Sequence, residues 1–495
     1  MSRGGALGTA RPTECKMQSP EPARLPSSKT RIIATIGPAS NSPEVLERMI
    51  RAGMNVARLN FSHGEFATHG QNIKNIRAAA KSAGRMVAIM ADLSGPKMRI
   101  GQFAVEPIQL KPGDRFTLAT EEMVGTQERV SVTFARLPKV VQPGDRLSLN
   151  DGSILIEVAE VRDREVVCVV RVGGELRSRK GLNMPGIDLG ISAFTDRDRE
   201  CLQFALEHGV DAVSQSFVES AADVRAVREA ARELGREPFL IAKIERARAL
   251  DRLDEILDAA DGVMIARGDL GVEVPIERIA IIQKDIMRRA NCRAKPVITA
   301  TQMLESMIHH RLPTRAEATD VANAILDGTD GVMLSAESAM GEFPVESVEM
   351  LARIAATVEA TRRQVTVKDM YAGIDLTGKV LPLHLIAVSV EASLEYLKPA
   401  AVFARTDSGK SARRLAAFRL PVWTVAISPS AKTAQDLLFS SGVAPVHQST
   451  SPASWSGYIK NWVLEHELPG SFAILTQRPS VDDPESNFRL EIINL

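Results

Sequence analysis

The sequence shows no excess of charge of either sign, because 61 lysines and arginines balance 61 aspartates and glutamates. Nucleic acids and anionic membranes attract proteins mainly through an excess of positive charge, so the balance gives no reason to expect either partner. No apolar run reaches the roughly 18 residues that a membrane-spanning helix needs. The four cysteines lie far apart and form no CxxC pair, which argues against a zinc cluster or a disulfide framework and favours a cytoplasmic protein.

The first 29 residues lack the apolar core of a signal peptide. Arginines stand there among Gly, Pro and Ser, and we expect a disordered tail over residues 1–29. A transit peptide is the alternative, but Glu14 and Glu21 are unusual in one.

Short β-branched runs alternate with amphipathic helical runs along much of the chain. Eight strand candidates are Arg31–Ile36, Asn55–Asn60, Met86–Ala91, Ala212–Phe217, Phe239–Ile244, Gly262–Ala266, Pro296–Ala300 and Gly331–Leu334. Most are mixed apolar runs, which is typical of strands covered on both faces. Ser42 and Pro43 mark the start of one intervening helix, and Gly53 its end. Eight strands with crossover helices predict an α/β fold, a (β/α)₈ TIM barrel over residues 30–96 and 192–365; an open doubly wound sheet is the competing fold.

Residues 97–191 interrupt this alternation after the third strand. They contain alternating runs such as RVSVTF, RLSLN, ILIEV and EVVCVVRV between PGD and NDG turns, which predict a small antiparallel β-barrel. Because the insertion follows the carboxyl end of a barrel strand, where active-site loops lie, it is placed to act as a lid. After residue 365 the alternation restarts, and we expect a C-terminal α/β domain over residues 366–495.

Polar side chains follow the predicted barrel strands at their carboxyl ends, where barrel enzymes keep their chemistry. Glu245 and Asp269 stand at neighbouring strand ends, and two carboxylates that leave positions for water and substrate suit Mg²⁺. Lys243 precedes Glu245 by two residues, so both point to the same side of a strand, and the lysine would neutralise an anionic phosphoryl group. A structural ion pair would explain any one of these residues, but not so many strand ends together, because buried charges are costly without partners.

Longer segments of the chain match a known family. These segments are MNVARLNFSHG, DLSGPKMRIG, KGLNMPG, IAKIE, MIARGDLGVEVP, KPVITATQMLESMI and PTRAEATDVANAILDGTDGVMLSAES. They closely resemble the pyruvate kinase family through the barrel and the insertion, and more weakly in the last domain. The resemblance implies a glycolytic enzyme, dependent on Mg²⁺ or Mn²⁺, that transfers the phosphoryl group of phosphoenolpyruvate to ADP. Glu245 and Asp269 would then hold the metal ion, and Lys243, assisted by Arg58, would stabilise the transferring phosphoryl group.

The resemblance also implies residues for the rest of the reaction. Backbone N–H groups around Gly268 and Asp269, with the hydroxyl of Thr301, would bind the substrate carboxylate. Thr301 and a water relay through Ser335 and Glu337 are both candidates for protonating the enolate. The implied nucleotide contacts come from the barrel and from the lid, and they are Arg99, Arg85, Asn60, His63 and Lys180.

The chain departs from the family at its monovalent-cation site. Many members hold K⁺ through oxygens matching Asn60, Ser62 and Asp92 and through a hydroxyl at the next position, where this chain has Leu93. Members that need K⁺ carry Glu in place of Lys97, whereas K⁺-independent members pair Leu with Lys. An ammonium group carries the same charge as K⁺, so we predict activity without added K⁺. The alternative is that Lys97 is a surface lysine near the lid hinge.

A second departure concerns the last domain, where RTDSGKSARR joins a predicted strand to a helix. Its polar atoms would cradle a phosphate, and the residues are Thr406, Ser408, Gly409, Lys410 and Ser411. In the family this loop binds a sugar-phosphate effector, and responders to fructose 1,6-bisphosphate often have Lys where Asp407 stands. Further along, Asp482, Asp483 and Glu485 would repel a second phosphate. A monophosphate such as AMP, ribose 5-phosphate or glucose 6-phosphate is therefore expected.

Two other functions stay open from the sequence. A Mg²⁺-dependent pyruvate or oxaloacetate lyase would use the same barrel and carboxylates, but it would not need the lid, Lys180 or Arg85. A catalytically degenerate subunit that only binds an effector is the third reading, against which the intact Lys243 and Glu245 argue. The resemblance further implies a homotetramer.

Overall fold

The structure is a computed structural model that describes residues 25–362, 365–371, 382–479 and 485–495. The chain first supplies three barrel strands and two helices: β1 (Arg31–Thr35), α1 (Pro43–Ala52), β2 (Met54–Asn60), α2 (Phe66–Ala83) and β3 (Ala88–Leu93). Helix α1 begins and ends as predicted. The hydroxyl of Ser42 caps its first turn by accepting from the N–H of Val45, and Gly53 ends it with φ +127°, a value that favours glycine.

The inserted domain follows β3. Its elements are β4 (Ile108–Leu110), β5 (Arg115–Ala119), β6 (Arg129–Ser131), α3 (Leu137–Val140), β7 (Arg146–Leu149), β8 (Ile154–Val161), β9 (Glu165–Val172), β10 (Gly174–Leu176) and β11 (Leu182–Asn183). Six strands form one sheet in the order β11-β7-β8-β9-β5-β6, and β10 pairs with β4. Every pair is antiparallel except β5 and β6.

The predicted closure of this insertion into a barrel needs correction. Its edge strands β6 and β11 are only 3 and 2 residues long, too short to form a ladder with a further strand. The entering chain lies between those edges and meets them through isolated bridges, from Arg99 to Gly181 and from Ile100 to Val132, with backbone hydrogen bonds to each side but no continuous ladder. In the described residues the insertion is therefore a small sheet with two nearly joined edges.

The chain then completes the barrel. The elements are α4 (Asp196–Glu207), β12 (Ala212–Gln215), α5 (Ala221–Glu233), β13 (Phe239–Ile244), α6 (Ala247–Asp251), α7 (Leu253–Ala259), β14 (Gly262–Ala266), α8 (Arg267–Glu273), α9 (Ile279–Cys292), β15 (Val297–Ala300), α10 (Arg315–Leu326), β16 (Gly331–Leu334), α11 (Ala336–Ala339) and α12 (Pro344–Thr361), with 3₁₀ turns at Ile276–Arg278 and Glu305–Ile308. Eight parallel strands close in the order β1-β16-β15-β14-β13-β12-β3-β2. The TIM barrel is confirmed, and the open doubly wound sheet is excluded.

The last domain is a second α/β unit. Its elements are α13 (Val367–Met370), α14 (Pro382–Ser393), β17 (Ala401–Arg405), α15 (Lys410–Ala417), β18 (Trp423–Ser428), α16 (Ala431–Asp436), a 3₁₀ turn at Leu437–Phe439, β19 (Val443–His447), α17 (Trp455–Glu465), β20 (Phe472–Gln477) and β21 (Arg489–Asn494). The sheet order is β19-β18-β17-β20-β21, with β21 antiparallel. Pro445 of β19 is tolerated because β19 is an edge strand.

This last domain covers the amino-terminal end of the barrel. Leu438 and Phe439 join the apolar cluster inside the barrel, and the ring of Phe439 stacks on Phe239 with centroids 5.1 Å apart. Nearby, the guanidinium of Arg419 pairs with Asp330 at 2.8 Å, and both side chains are buried. The carboxyl ends of the barrel strands consequently face away from the last domain, toward the inserted one.

Two expectations fall partly outside the described residues. Of the predicted tail, residues 1–24 lie outside them, whereas the ammonium of Lys29 donates to the carbonyl oxygen of Leu420 at 3.0 Å. The acidic pair Asp482 and Asp483 also lies outside them. No helix among the described residues is long and apolar enough to cross a membrane.

Candidate active site

Asp92 ends β3 at the mouth of the barrel and gathers several polar groups. It is 2% exposed, and its Oδ2 accepts from Nε of Arg58 at 2.9 Å. Its Oδ1 accepts from the hydroxyl of Ser214 at 2.7 Å. Burial by itself would raise the pKa of Asp92, but the charges of Lys243 and Arg58 bring it below its usual value. Asp92 is therefore an ionised carboxylate that orients cations.

Lys243 lies at the centre of the mouth, near the end of β13. Its Nζ donates to the hydroxyl of Ser216 at 2.6 Å and lies 3.3 Å from Oε2 of Glu245 and 3.6 Å from Oδ1 of Asp92. Burial opposes its charge, but these two carboxylates raise its pKa above the ordinary lysine value. The site thus holds a buried ammonium group in its charged form.

Glu245 carries the clearest sign of a missing partner. Its Oε1 accepts from the backbone N–H of Phe217 at 2.7 Å, while Oε2 is buried and has no hydrogen-bond partner within the described chain. Burial, with a further contribution from the charge of Asp269, raises the pKa of Glu245 to about 7 despite the nearby Lys243. A buried carboxylate oxygen without a donor is costly, and a cation bound there would remove that cost.

The donor set fits a hard divalent cation that takes the rest of its ligands from water and substrate. Asp269, in the first turn of α8, is exposed and close enough to Glu245 to affect its titration. No group of three or more His, Cys, Asp or Glu side chains that could hold a metal ion occurs among the described residues. Two carboxylates with open coordination positions suit Mg²⁺ better than a fully protein-ligated metal.

Thr301 follows β15 and takes an unusual backbone conformation. Both Thr301 and Gln302 have positive φ, +71° and +53°, which is strained for non-glycine residues. The Thr301 hydroxyl accepts from the N–H of Gly268 at 2.7 Å and donates to the carbonyl oxygen of Ala300 at 2.6 Å. The structure thus brings Thr301 and the start of α8 together, as the sequence predicts.

Glu337 holds two strand ends together. It is 2% exposed, and its oxygens accept from the N–H groups of Leu304, at 3.1 Å, and Ser335, at 2.7 Å. Burial raises its pKa. Both carboxylate oxygens are already engaged by backbone donors, which favours a positioning role over a proton relay.

The residues of the predicted monovalent-cation site lie side by side between β2 and β3. Asn60 pairs with Asp92 in register, and its Oδ1 accepts from the N–H of Ser62 at 3.1 Å. Leu93 is fully buried, and its carbonyl oxygen accepts from the hydroxyl of Ser216 at 2.7 Å. Partial burial, with Arg99 and Lys243 nearby, lowers the pKa of Lys97 to about 8, although Asp92 and Asp269 act in the opposite direction.

Two of the predicted nucleotide contacts, His63 of the barrel and Lys180 of the lid, lie near the cations Lys97 and Arg99. His63 has a pKa below its usual value because of partial burial and the cations Lys97, Arg99 and Arg58. Lys180 lies beside Arg99 at the base of the lid, where its carbonyl oxygen accepts from the N–H of Ile100 at 3.0 Å. Three cations, Lys97, Arg99 and Arg58, thus lie close enough to His63 at the mouth to affect its titration, and such a positive region attracts anionic ligands.

Comparison with known proteins identifies the family to which the chain belongs. Residues 27–348 match the family model "Pyruvate kinase, barrel domain", and residues 384–471 match "Pyruvate kinase, alpha/beta domain". The chain belongs to the pyruvate kinase family. It is 49% identical to a pyruvate kinase of Thermococcus litoralis over 85% of this chain and 89% of the relative, and 41% identical to one of Thermotoga maritima over 84% and 88%. A crystal structure of a pyruvate kinase from Cryptosporidium parvum matches with a TM-score of 0.88 and 36% identity, over 94% of this chain and 96% of that one.

Its activity is that of a pyruvate kinase: transfer of the phosphoryl group of phosphoenolpyruvate to ADP, with pyruvate and ATP as products. This outcome sets aside the lyase and the degenerate subunit that the sequence left open.

One implied nucleotide contact of this kinase is misplaced. Arg85 precedes β3, so in a parallel barrel it lies at the amino-terminal end, away from the mouth. Its guanidinium donates to the carbonyl oxygens of Ile50, at 3.3 Å, and Arg51, at 3.4 Å. Arg85 therefore holds the end of α1, and the structure does not bring it to the other nucleotide residues. The prediction from the resemblance was wrong because it did not consider which end of the strand Arg85 occupies.

Three residues around the kinase site were missed from the sequence, all from the segment at and after β12. Ser214 and Ser216 hold Asp92 and Lys243, and Phe217 donates its N–H to Glu245. The fourth strand was predicted, but its end, SQSF, carries no charge to draw attention. A signal did exist, because three consecutive polar residues, Ser214, Gln215 and Ser216, at the carboxyl end of a buried barrel strand are unusual.

The predicted effector residues of this kinase lie together between β17 and α15. Gly409 takes φ +78° at the start of α15. The hydroxyls of Thr406 and Ser411 and Nε of Arg478 are buried and have no hydrogen-bond partner in the part of the chain that the structure describes. Ser408 and Lys410 are exposed beside them.

Proposed function

We propose that this kinase works through a Mg²⁺ ion held by Glu245 and Asp269, with Lys243 stabilising the transferring phosphoryl group. The observation that carries the proposal is the buried Oε2 of Glu245, which lies 3.3 Å from Nζ of Lys243 and has no hydrogen-bond partner among the described residues. When bound, the metal ion supplies positive charge to the phosphoryl oxygens.

The side chains around the metal ion would stabilise the phosphoryl group, bind the substrate carboxylate and supply a proton. Lys243 and Arg58 neutralise the phosphoryl group as its bond to the enol oxygen of phosphoenolpyruvate breaks and a bond to a β-phosphate oxygen of ADP forms. Thr301 and the N–H groups at the start of α8 hold the carboxylate of the substrate. The enolate left behind takes a proton at its methylene carbon, and the candidate donors are Thr301 and a water relay through Ser335 and Glu337. Substrate binding would have to free either one, because the Thr301 hydroxyl donates to Ala300 and the Glu337 oxygens accept from backbone N–H groups.

A coupled assay of pyruvate formation tests this proposal. We expect turnover only when phosphoenolpyruvate, ADP and Mg²⁺ are all present, and direct binding of Mn²⁺ in the presence of oxalate, an analogue of the enolate. Substitution Glu245→Gln should abolish that Mn²⁺ binding, whereas Glu342→Gln, on the exposed loop before α12, should not. Unchanged Mn²⁺ binding by the first variant would rule out Glu245 as a ligand.

We also propose that the enzyme needs no K⁺, because the ammonium of Lys97 supplies the charge. Support comes from Asp92 and Asp269, whose charges favour the ammonium form of Lys97, although burial, Arg99 and Lys243 lower its pKa overall to about 8. Further support comes from Leu93, which lacks a side-chain oxygen. Assay in buffers that contain only tetramethylammonium as monovalent cation tests this. Loss of nearly all turnover in that buffer would contradict the idea.

For regulation, we propose that Thr406, Ser411 and the N-terminus of α15 bind the phosphate of a monophosphate effector. The hydroxyls of Thr406 and Ser411, which have no hydrogen-bond partner among the residues that the structure describes, support this, because a phosphate oxygen would accept from both. Calorimetric titration with AMP, ribose 5-phosphate, glucose 6-phosphate and fructose 1,6-bisphosphate tests it. Tightest binding of the bisphosphate would contradict the proposal.

Finally, we propose a homotetramer in the cytoplasm. Ile276 and Ile281, near the start of α9, are 74% and 68% exposed, and Ile492 is 57% exposed on the edge strand β21. Apolar side chains grouped in this way favour contact with further copies of the chain. Sedimentation velocity measures the assembly directly, and a monomer at micromolar concentration would refute it.

A further inference from the structure

The turn after β12 contains one of the few bulky residues with a left-handed backbone. Phe217 has φ +61°, which is uncommon for any non-glycine residue and costs free energy that its surroundings must offset. Strand β12 ends at Gln215, two residues short of the predicted end, because the chain changes direction here. Such strain persists only where contacts on several sides hold the residue in place.

On one side, this turn contacts the catalytic machinery. The N–H of Phe217 donates to Oε1 of Glu245 at 2.7 Å, which is a direct backbone contact to a proposed metal ligand. The hydroxyl of the preceding Ser216 accepts from Nζ of Lys243 at 2.6 Å. Two consecutive residues thus fix the orientation of the two side chains on which phosphoryl transfer depends.

On the other side, the same turn contacts both segments that connect the lid to the barrel. The ring of Phe217 packs against the hydrophobic core of the lid. It also lies against Gly95 in the outgoing connection, where a Cβ would come within 2.9 Å of the ring and 3.2 Å of the carbonyl oxygen of Ser216. In the returning connection, the carbonyl oxygen of Ala193 accepts from Nε2 of Gln215 at 2.8 Å.

We propose that Phe217 is a positioning residue that couples the place of the lid to the geometry of the metal carboxylate. The packing of the ring against the lid and Gly95 keeps the backbone in its left-handed conformation, and that conformation aims the N–H at Glu245. If the lid or Gly95 moves away, Phe217 relaxes toward ordinary φ and its N–H leaves Oε1. Metal affinity then depends on lid position. The inference rests on the proposed role of Glu245 as a metal ligand.

Gly95→Ala tests this coupling without changing any residue of the site. A methyl group at Gly95 has to displace the ring of Phe217, whereas Gly186→Ala, in the returning connection, is the matched control. Both glycines have left-handed φ, +63° and +73°, but a Cβ at Gly186 meets nothing within 4 Å. Both substitutions therefore introduce comparable backbone strain, and only the first one displaces Phe217.

The measurement is the dissociation constant for Mn²⁺ with oxalate, by electron paramagnetic resonance of free Mn²⁺. We expect Gly95→Ala to weaken Mn²⁺ binding about tenfold, as is usual when a group that orients a metal ligand is lost, and Gly186→Ala to leave it unchanged. The melting temperature should fall in both variants, and further in Gly95→Ala, because the clash with Phe217 adds to the backbone strain. Equal Mn²⁺ affinities in the two variants would overturn the proposal.

Phe217→Gly gives a second route if Gly95→Ala does not fold. It removes the ring and leaves the backbone free to move, so it should also weaken Mn²⁺ binding about tenfold. In the double variant, Gly95→Ala should add no further loss, because the methyl group no longer meets a ring. Full additivity would overturn the coupling. Wild-type Mn²⁺ binding and turnover are measured first; their failure would refute the role of Glu245 instead.

Discussion

Replacement of Lys243 by methionine should produce two separate effects, one on catalysis and one on stability. Methionine retains much of the length of the side chain and removes the charge. Loss of one preorganised electrostatic group costs about 10²–10³-fold in kcat, and we expect the upper end, because Lys243 is buried and held charged by two carboxylates. The KM for phosphoenolpyruvate should change much less, since Lys243 is expected to stabilise the transition state of phosphoryl transfer more strongly than the bound substrate.

The effect on stability comes from the carboxylates that remain. Without Lys243, Glu245 is left buried without its cation, whereas Asp92 keeps its ion pair with Arg58; loss of one partner from a buried ion pair costs about 3–5 kcal/mol. Burial raises the pKa of Glu245 in the folded state to about 7, above the ordinary value for a glutamate in an unfolded chain, so that on lowering the pH the folded state takes up a proton first. Its ionisation therefore costs stability progressively as the pH rises from about 4.5 to 7, by about 1.4 kcal/mol per pKa unit.

In the variant this pH window should extend upward, because Lys243 no longer lowers the pKa of Glu245. We therefore expect the deficit in the free energy of unfolding, measured with urea, to be largest at pH 8 and clearly smaller at pH 6. Mg²⁺ with oxalate should reduce the deficit at pH 8. Arg162→Met is the control, because Arg162 pairs with Glu160 at 2.9 Å where both side chains are about half exposed, and such pairs contribute at most about 1 kcal/mol. A deficit that is the same at both pH values, or no larger than that of the control, would refute the reasoning.

Three further outcomes follow from the geometry. Lys97→Glu should lower kcat by about 10² or more in K⁺-free buffer, with part of the activity restored by added K⁺; no restoration would argue against a shared cation position. Arg85→Met should leave the KM for ADP within about twofold, whereas Arg99→Met raises it about tenfold or more, and steady-state kinetics with varied ADP separates them. Arg419→Met should lower the free energy of unfolding by about 3–5 kcal/mol, because it leaves Asp330 buried beneath the last domain; a change below about 1 kcal/mol would contradict this.

Much of this architecture could be predicted because barrel strands are short and locally encoded. All eight strand candidates coincide with observed strands, and the largest differences are two residues, at both ends of β3 and at the end of β12. Strand β3 extends further than predicted because Asp92, whose charge placed it outside the strand, pairs with Asn60. Closure of the inserted domain could not be predicted, since it depends on whether two short edges meet in space. That is a non-local property that no run of alternating residues records.

The site was predictable where charge marked it, and hidden where small or backbone groups act. Lys243 and Glu245 stand two residues apart in the sequence, and the structure brings them together as expected. Ser216 contributes one hydroxyl, and Phe217 contributes a backbone N–H that any residue type possesses. Arg85 shows the reverse error, because its charge attracted attention although it precedes its strand. In a barrel, function depends on which end of the strand a residue occupies.

The stacking of Phe439 on Phe239 has a consequence for communication across the molecule. Phe239 is the first residue of β13, and Lys243 lies four residues further along the same strand, roughly 13 Å away at the usual rise of an extended chain. The strand is hydrogen-bonded on both sides within the closed barrel. We therefore expect that a shift of the 3₁₀ turn at Leu437–Phe439 would displace the start of β13 and, through it, Lys243, the proposed phosphoryl-stabilising residue near its other end.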